Sequence, residues 1–138
     1  AAHFRLCSNE MLLLSRRVAG ASVINVDEWR RNTVVTHEHR LGRAAKASVQ
    51  HFWTYISDGC DNAERLRVFS FITGLCAVPS SWPALKITVM QAQTGGGHLP
   101  KVHTCFFTLD LPVYTTPSQC AEKFRYACDN VGTLFTEN

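Results

Sequence analysis

No apolar run in this chain reaches the roughly 20 residues that a helix needs to cross a bilayer. The opening Ala1-Ala2-His3-Phe4-Arg5 does not lead into the long apolar stretch and small-residue cleavage site of a secretory leader. No contact with a membrane is therefore expected. The chain does not begin with Met, and the expectation is a fragment of something longer. Charge is sparse and not clustered, with 18% charged residues and a formal net charge of +3. That is far from the basic footprint of a nucleic-acid binder, so Arg16-Arg17, Arg30-Arg31 and the stretch from Arg40 to Lys46 read as solvated faces and protein contacts. No C-x-x-C pair occurs among Cys7, Cys60, Cys76, Cys105, Cys120 and Cys128, which removes the usual spacing of a zinc ribbon or a thioredoxin-type site. Gly95-Gly96-Gly97 is not followed by Gly-Lys-Ser/Thr, so it reads as a loop and not as a phosphate cradle. Internal repeats and low-complexity segments are missing too.

What is present is 138 residues with 46% hydrophobic content. That fits one domain, or one small domain with a piece of a neighbour, and is enough to bury a core without staples. Six cysteines are able to form three disulfides, but a chain of this size does not depend on them. The thiols are expected to be mostly reduced and buried as small apolar groups, which implies an intracellular setting, cytoplasmic or nuclear.

Helical spacing predicts a first helix over Asn9 to Ala19, with Ser8 as cap and Gly20 as stop. A short second helix is expected over Val26 to Arg31, where Asn25 and Glu28 make a capping box. The polar run Thr36 to Arg43 has poor periodicity and reads as a linker or hinge. A third helix is expected from Ala45 to Ile56, with Val49, Phe52, Trp53 and Ile56 on one face. A fourth runs from Asn62 to Thr73 and stops at Gly74. The period then changes. Ala84 to Gln91 alternates as a strand, and His103 to Leu109 is a second strand. Thr116 caps a last helix with Pro117 in its first position, and Cys120, Phe124, Cys128 and Val131 lie along its buried face. Helices, two strands and a helix make a small α+β lobe, a short sheet packed against helices.

Cys105 is the candidate nucleophile. On one strand, alternation puts His103 and Cys105 on the same face, where an imidazole favours the reactive thiolate. From the residues alone the balance lies with a core thiol beside a surface histidine. A cysteine protease needs a base and an orienting acid as well, and His103, His98 and Asp110 are the available partners. A base two residues from its nucleophile does not readily reach round to it. His37-Glu38-His39 with His51 lacks zinc-type spacing and reads as solvated linker, so no metal site is expected.

The run Leu99-Pro100-Lys101-Val102-His103-Thr104-Cys105-Phe106-Phe107-Thr108-Leu109-Asp110-Leu111-Pro112-Val113-Tyr114 is more specific than a lone cysteine. It resembles the active-site segment of HECT-type ubiquitin ligases, which show Leu-Pro, then His-Thr-Cys-Phe, then Leu-x-Leu-Pro-x-Tyr. Phe52-Trp53 and Phe69-Ser70-Phe71-Ile72-Thr73-Gly74 resemble further landmarks of that family, as do Pro79 and the helix around Glu122 to Ala127. Phe135, fourth from the end, matches a phenylalanine that many members keep, which implies that Asn138 is the parent's C-terminus. Two departures stand out: Phe107 occupies a position where many members have Asn, and Val34-Val35-Thr36-His37 lacks the usual Glu-Tyr and glycines of the hinge.

The resemblance implies a C-terminal catalytic lobe (C-lobe) over 45–138, a hinge over 37–44 and the last helices of the preceding N-lobe over 1–36. It implies that Cys105 takes ubiquitin from a conjugating enzyme as a thioester and passes it to a lysine of a protein substrate, with no cofactor. His103 and Thr104 are implied to set the thiol's surroundings, and Asp110 to orient or deprotonate the incoming amine. Phe135, Phe106, Leu99 and Pro100 are implied to position the substrate. The conjugating enzyme is expected to dock on the N-lobe, which is essentially missing. Two alternatives remain open: a degenerate lobe that only binds ubiquitin or another protein, and an unrelated cysteine hydrolase.

Overall fold

The computed structural model describes residues 23–131. The helix expected over Asn9 to Ala19, and Phe135 near the other end, lie outside the described residues. The first described helix, α1 (Val26–Arg31), is short and held by its ends. The Asn25 side chain accepts from the Glu28 amide at 3.0 Å, acidic Asp27 and Glu28 sit in the first turn, and basic Arg30 and Arg31 in the last, as the helix dipole favours.

A strand that the sequence did not announce follows at once: β1 (Thr33–Val35). Three residues are too few to show a period of two. The Thr36 amide continues the pairing onto the Ile87 carbonyl at 2.9 Å. The polar run after it contains a 3₁₀ turn at Glu38–Arg40, and the Gly42 amide at its end donates to Gln91 Oε1 at 3.2 Å.

Helix α2 (Arg43–Asp58) buries Ala45, Ser48, Val49, Phe52, Trp53, Tyr55 and Ile56. Asp61 caps α3 (Asn62–Thr73) by accepting from the Glu64 amide at 2.8 Å, and Gly74 ends it at φ 75°, the left-handed conformation that glycine adopts without penalty. Strand β2 (Leu85–Thr94) runs three residues beyond the expected Gln91. Helix α4 (Pro117–Asp129) begins as read, with Pro117 in its first turn and Thr116 Oγ1 accepting from the Gln119 amide at 3.0 Å.

The second expected strand is corrected. His103 to Leu109 is not one strand but β3 (Lys101–His103), a 3₁₀ turn (Thr104–Phe106) and β4 (Thr108–Val113). The chain reverses because Phe107 stands at φ 48°, which no strand accommodates. The four strands form one mixed sheet in the order β1-β2-β4-β3, parallel throughout except for β3 against β4. The result is the expected α+β arrangement.

Trp29 of α1 is 1% exposed. It meets Phe52, Trp53 and Phe69 edge-on at centroid distances of 6.2, 6.0 and 5.9 Å and lies roughly parallel to Trp82. Phe124 of α4 closes the far side against Phe52, Tyr55 and Phe71. Helices α1 to α4 and the sheet therefore share one core.

Candidate active site

Strand β4 positions the site. Its Leu109 and Leu111 are 1% and 0% exposed, so alternation turns Thr108 and Asp110 to the other face. The β3–β4 register sets His103 opposite Thr108 and Lys101 opposite Asp110. His103 is thus a diagonal neighbour of Asp110 on that face, and its Nε2 lies 2.8 Å from Asp110 Oδ2. A carboxylate only accepts, so the proton on this bond belongs to Nε2. His103 is more than half exposed and Asp110 about one-fifth exposed, leaving the pair open to an incoming group.

Cys105 stands in the middle of the 3₁₀ turn, not on a strand. The expectation that His103 and Cys105 alternate onto one strand face is therefore corrected. Among the described residues, no hydrogen bond joins the Cys105 sulfur to His98 or His103, so the thiol–imidazole pair of a hydrolase is not assembled. Cys105 is exposed, and its neighbour Phe106 is 75% exposed. Thr104 is half-buried and faces the end of α3: a Cβ placed on Gly74 lies 3.5 Å from that of Thr104. The turn is closed by the Phe107 amide donating to the Thr104 carbonyl at 3.3 Å and tied to the sheet by the Lys86 amide donating to the Phe107 carbonyl at 3.1 Å. Phe107 itself holds a left-handed backbone, which disfavours an L residue by about 1–2 kcal/mol.

The other described free thiols differ in kind. Cys60 and Cys120 are buried and Cys128 is partly so. Burial, the largest cause in each case, pushes the Cys60 and Cys128 thiols up to about 12 and raises Cys120 as well. These groups stay neutral, and a neutral thiol is a poor nucleophile. Cys76 is disulfide-bonded, so the expectation of reduced thiols does not extend to it.

The approach to β3 is anchored by Tyr114, which ends the Leu99 to Tyr114 run, and by Ser48 of α2, which the sequence reading did not single out. Tyr114 is 1% exposed, and its hydroxyl donates to the His98 carbonyl at 2.7 Å. Its amide donates to Ser48 Oγ at 2.9 Å, and Ser48 Oγ donates to the Pro112 carbonyl at 2.7 Å. Nothing in the helical pattern of α2 marks Ser48 as different from a small core residue. Pro100 is buried and Leu99 partly buried, so Phe106 is the most open of the described positioning candidates. His37 and His39 have ring centroids 6.4 Å apart. Among the described residues, no group of three or more His, Cys, Asp or Glu is placed to hold a metal ion.

Cys105 is thus an exposed thiol on the turn that joins the strand of His103 to the strand of Asp110. The family model HECT-domain (ubiquitin-transferase) matches residues 5–137. The E3 ubiquitin-protein ligase HECW1 of Homo sapiens is 30% identical over 127 residues, covering 87% of this chain and 8% of that protein. HECW2 of Mus musculus is 30% identical over 130 residues, again 87% of this chain and 8% of that protein. E3 ubiquitin-protein ligase pub3 of Schizosaccharomyces pombe is 32% identical over 122 residues, 82% of this chain and 15% of that protein. The chain thus spans a small part of the length of these relatives, and that part contains the Leu99 to Tyr114 segment on which the turn and the His–Asp pair are built. On this match the chain belongs to the HECT-domain (ubiquitin-transferase) family.

Proposed function

We propose that this chain is the catalytic lobe of a longer ubiquitin ligase and that Cys105 carries ubiquitin as a thioester on its way to a substrate lysine. The observation that supports it most is the contrast among thiols: Cys105 is exposed on a turn, while Cys60, Cys120 and Cys128 are held neutral in or near the core. In the first step the Cys105 sulfur, as thiolate, attacks the carbonyl carbon of the ubiquitin thioester on the conjugating enzyme. The new C–S bond forms, the old one breaks, and the departing thiolate takes up the proton that Cys105 released. One thioester replaces another, so the step is close to thermoneutral and depends on positioning. In the second step a neutral lysine amine attacks the same carbonyl. The C–N bond forms, the bond to Cys105 breaks, and the amine gives up a proton. Asp110 is the acceptor for that proton and His103 its orienting partner, since the two are joined at 2.8 Å on the face beside the turn.

Thr104 holds the base of the turn. Phe106, Leu99, Pro100 and Phe135 position the substrate. Residues 45–138 form the C-lobe, 37–44 the hinge and 1–36 the end of an N-lobe, the rest of which recruits the conjugating enzyme. The setting is intracellular.

The test is a gel assay of the full-length parent with activating enzyme, conjugating enzyme and ubiquitin, run with and without reductant. A reductant-sensitive ubiquitin adduct that Cys105→Ala abolishes is the expected result. No adduct from a visibly charged conjugating enzyme would replace this reading with a lobe that only binds ubiquitin.

A further inference from the structure

The turn that carries Cys105 ends on a residue whose side chain and backbone disagree. Phe107 stands at φ 48° and ψ 44°. Glycine and asparagine adopt that conformation readily, and an aromatic residue does not. Among the described residues the other non-glycine at positive φ is His37, which is exposed and remote in sequence. Such a conformation persists only where its surroundings over-determine it, and those surroundings are visible here. The Phe107 amide and carbonyl are both used, one to close the turn on Thr104 and the other to receive the Lys86 amide of β2. The ring is partly buried and packs against the hydrophobic core. The flanking residues do the reverse: Cys105 and Phe106 are exposed. Within three consecutive residues, two project outward and one is fastened inward.

We propose that Phe107 is a positioning residue for ubiquitin transfer: its ring, packed against the core, holds the Thr104–Phe106 turn in a strained form that sets Cys105 where the thioester carbonyl is attacked. This rests on the reading that Cys105 carries ubiquitin. Without the ring the turn loses its anchor on the core: a residue that disfavours the left-handed form lets the backbone at 107 relax, and one that tolerates it leaves the turn free to shift. Either movement withdraws the 107 carbonyl from Lys86 and moves the sulfur, and small displacements of a nucleophile cost large factors in rate.

The experiment measures thioester formation by the full-length parent from charged conjugating enzyme, separated into kcat and KM, for wild type, Phe107→Ala, Phe107→Leu and Phe107→Asn. Phe107→Ala is expected to lower kcat by about tenfold or more with KM for the conjugating enzyme unchanged, since that enzyme docks elsewhere. Phe107→Leu restores an apolar anchor in the same strained backbone and is expected to recover most of the rate. Phe107→Asn accepts the backbone but lacks the anchor and is expected to stay as slow as Phe107→Ala. A purely structural role would lower melting temperatures without producing that order in kcat, and this outcome overturns the proposal. So does a Phe107→Asn protein as fast as wild type. If Phe107→Ala does not fold, the contrast between Leu and Asn decides alone. Failure of the underlying reading looks different: wild type forms no adduct, or Cys105→Ala keeps one.

Discussion

At the scale of single residues, function depends on which groups are left in contact with water. Of the six cysteines, Cys105 alone lies in the Leu99 to Tyr114 run that resembles a known active-site segment. The fold separates the free ones by enclosing Cys60 and Cys120, partly covering Cys128 and leaving Cys105 open. The His103–Asp110 pair was only partly legible. Both residues are candidates in the sequence, but their contact follows from a β3–β4 register that depends on the intervening turn, and that turn depends on Phe107. The reading of one continuous strand from His103 to Leu109 failed because a β-rich pattern gives no sign of a left-handed aromatic residue. If Asp110 receives the amine proton, Asp110→Asn should leave thioester formation intact while slowing discharge to free lysine by about a hundredfold. Single-turnover discharge of the loaded enzyme checks this, and equal loss in both steps would assign Asp110 to holding the turn.

At the scale of elements, local chemistry was legible wherever it is carried by caps. Asn25 before α1, Thr116 before α4 and Gly74 after α3 stand where the sequence placed them. The missed element is β1, whose three residues pair with β2 at Thr33↔Leu85 and Val35↔Ile87. Its identity comes from a partner about fifty residues away, and a short apolar stretch carries no trace of that. The Asp61 cap matters to the site because α3 delivers Gly74 against Thr104. Asp61→Ala removes the acceptor for the Glu64 amide and should lower stability by about 1 kcal/mol. Urea unfolding measures the change, and a loss near zero would mean that water caps α3 equally well.

At the scale of the molecule, one aromatic core joins the four helices. Trp29 meets Phe52, Trp53, Phe69 and Trp82, while Phe124 binds α4 to α2 and α3. The same burial gives stability a pH dependence of definite sign. Folding raises the Cys60 and Cys128 thiols to about 12 and raises Tyr55 and Tyr114 too, in each case chiefly through burial. Below the unfolded thiol's pKa of about 8.5 both states are protonated and the contribution is complete. Above it the unfolded chain releases protons that the native state keeps, so stability falls as pH rises from about 8.5 toward 12. Urea midpoints should drop steadily between pH 8 and 10.5, and a flat profile would show that these groups are solvated in the native state. The central claim concerns Cys105, and exchanging its sulfur for oxygen tests it most directly. The account predicts that the full-length Cys105→Ser parent loses the reductant-sensitive ubiquitin adduct, and that any adduct it forms is an oxyester resistant to thiols and cleaved by alkali. A Cys105→Ser protein that still forms a thiol-sensitive adduct would place ubiquitin on another cysteine and contradict the account.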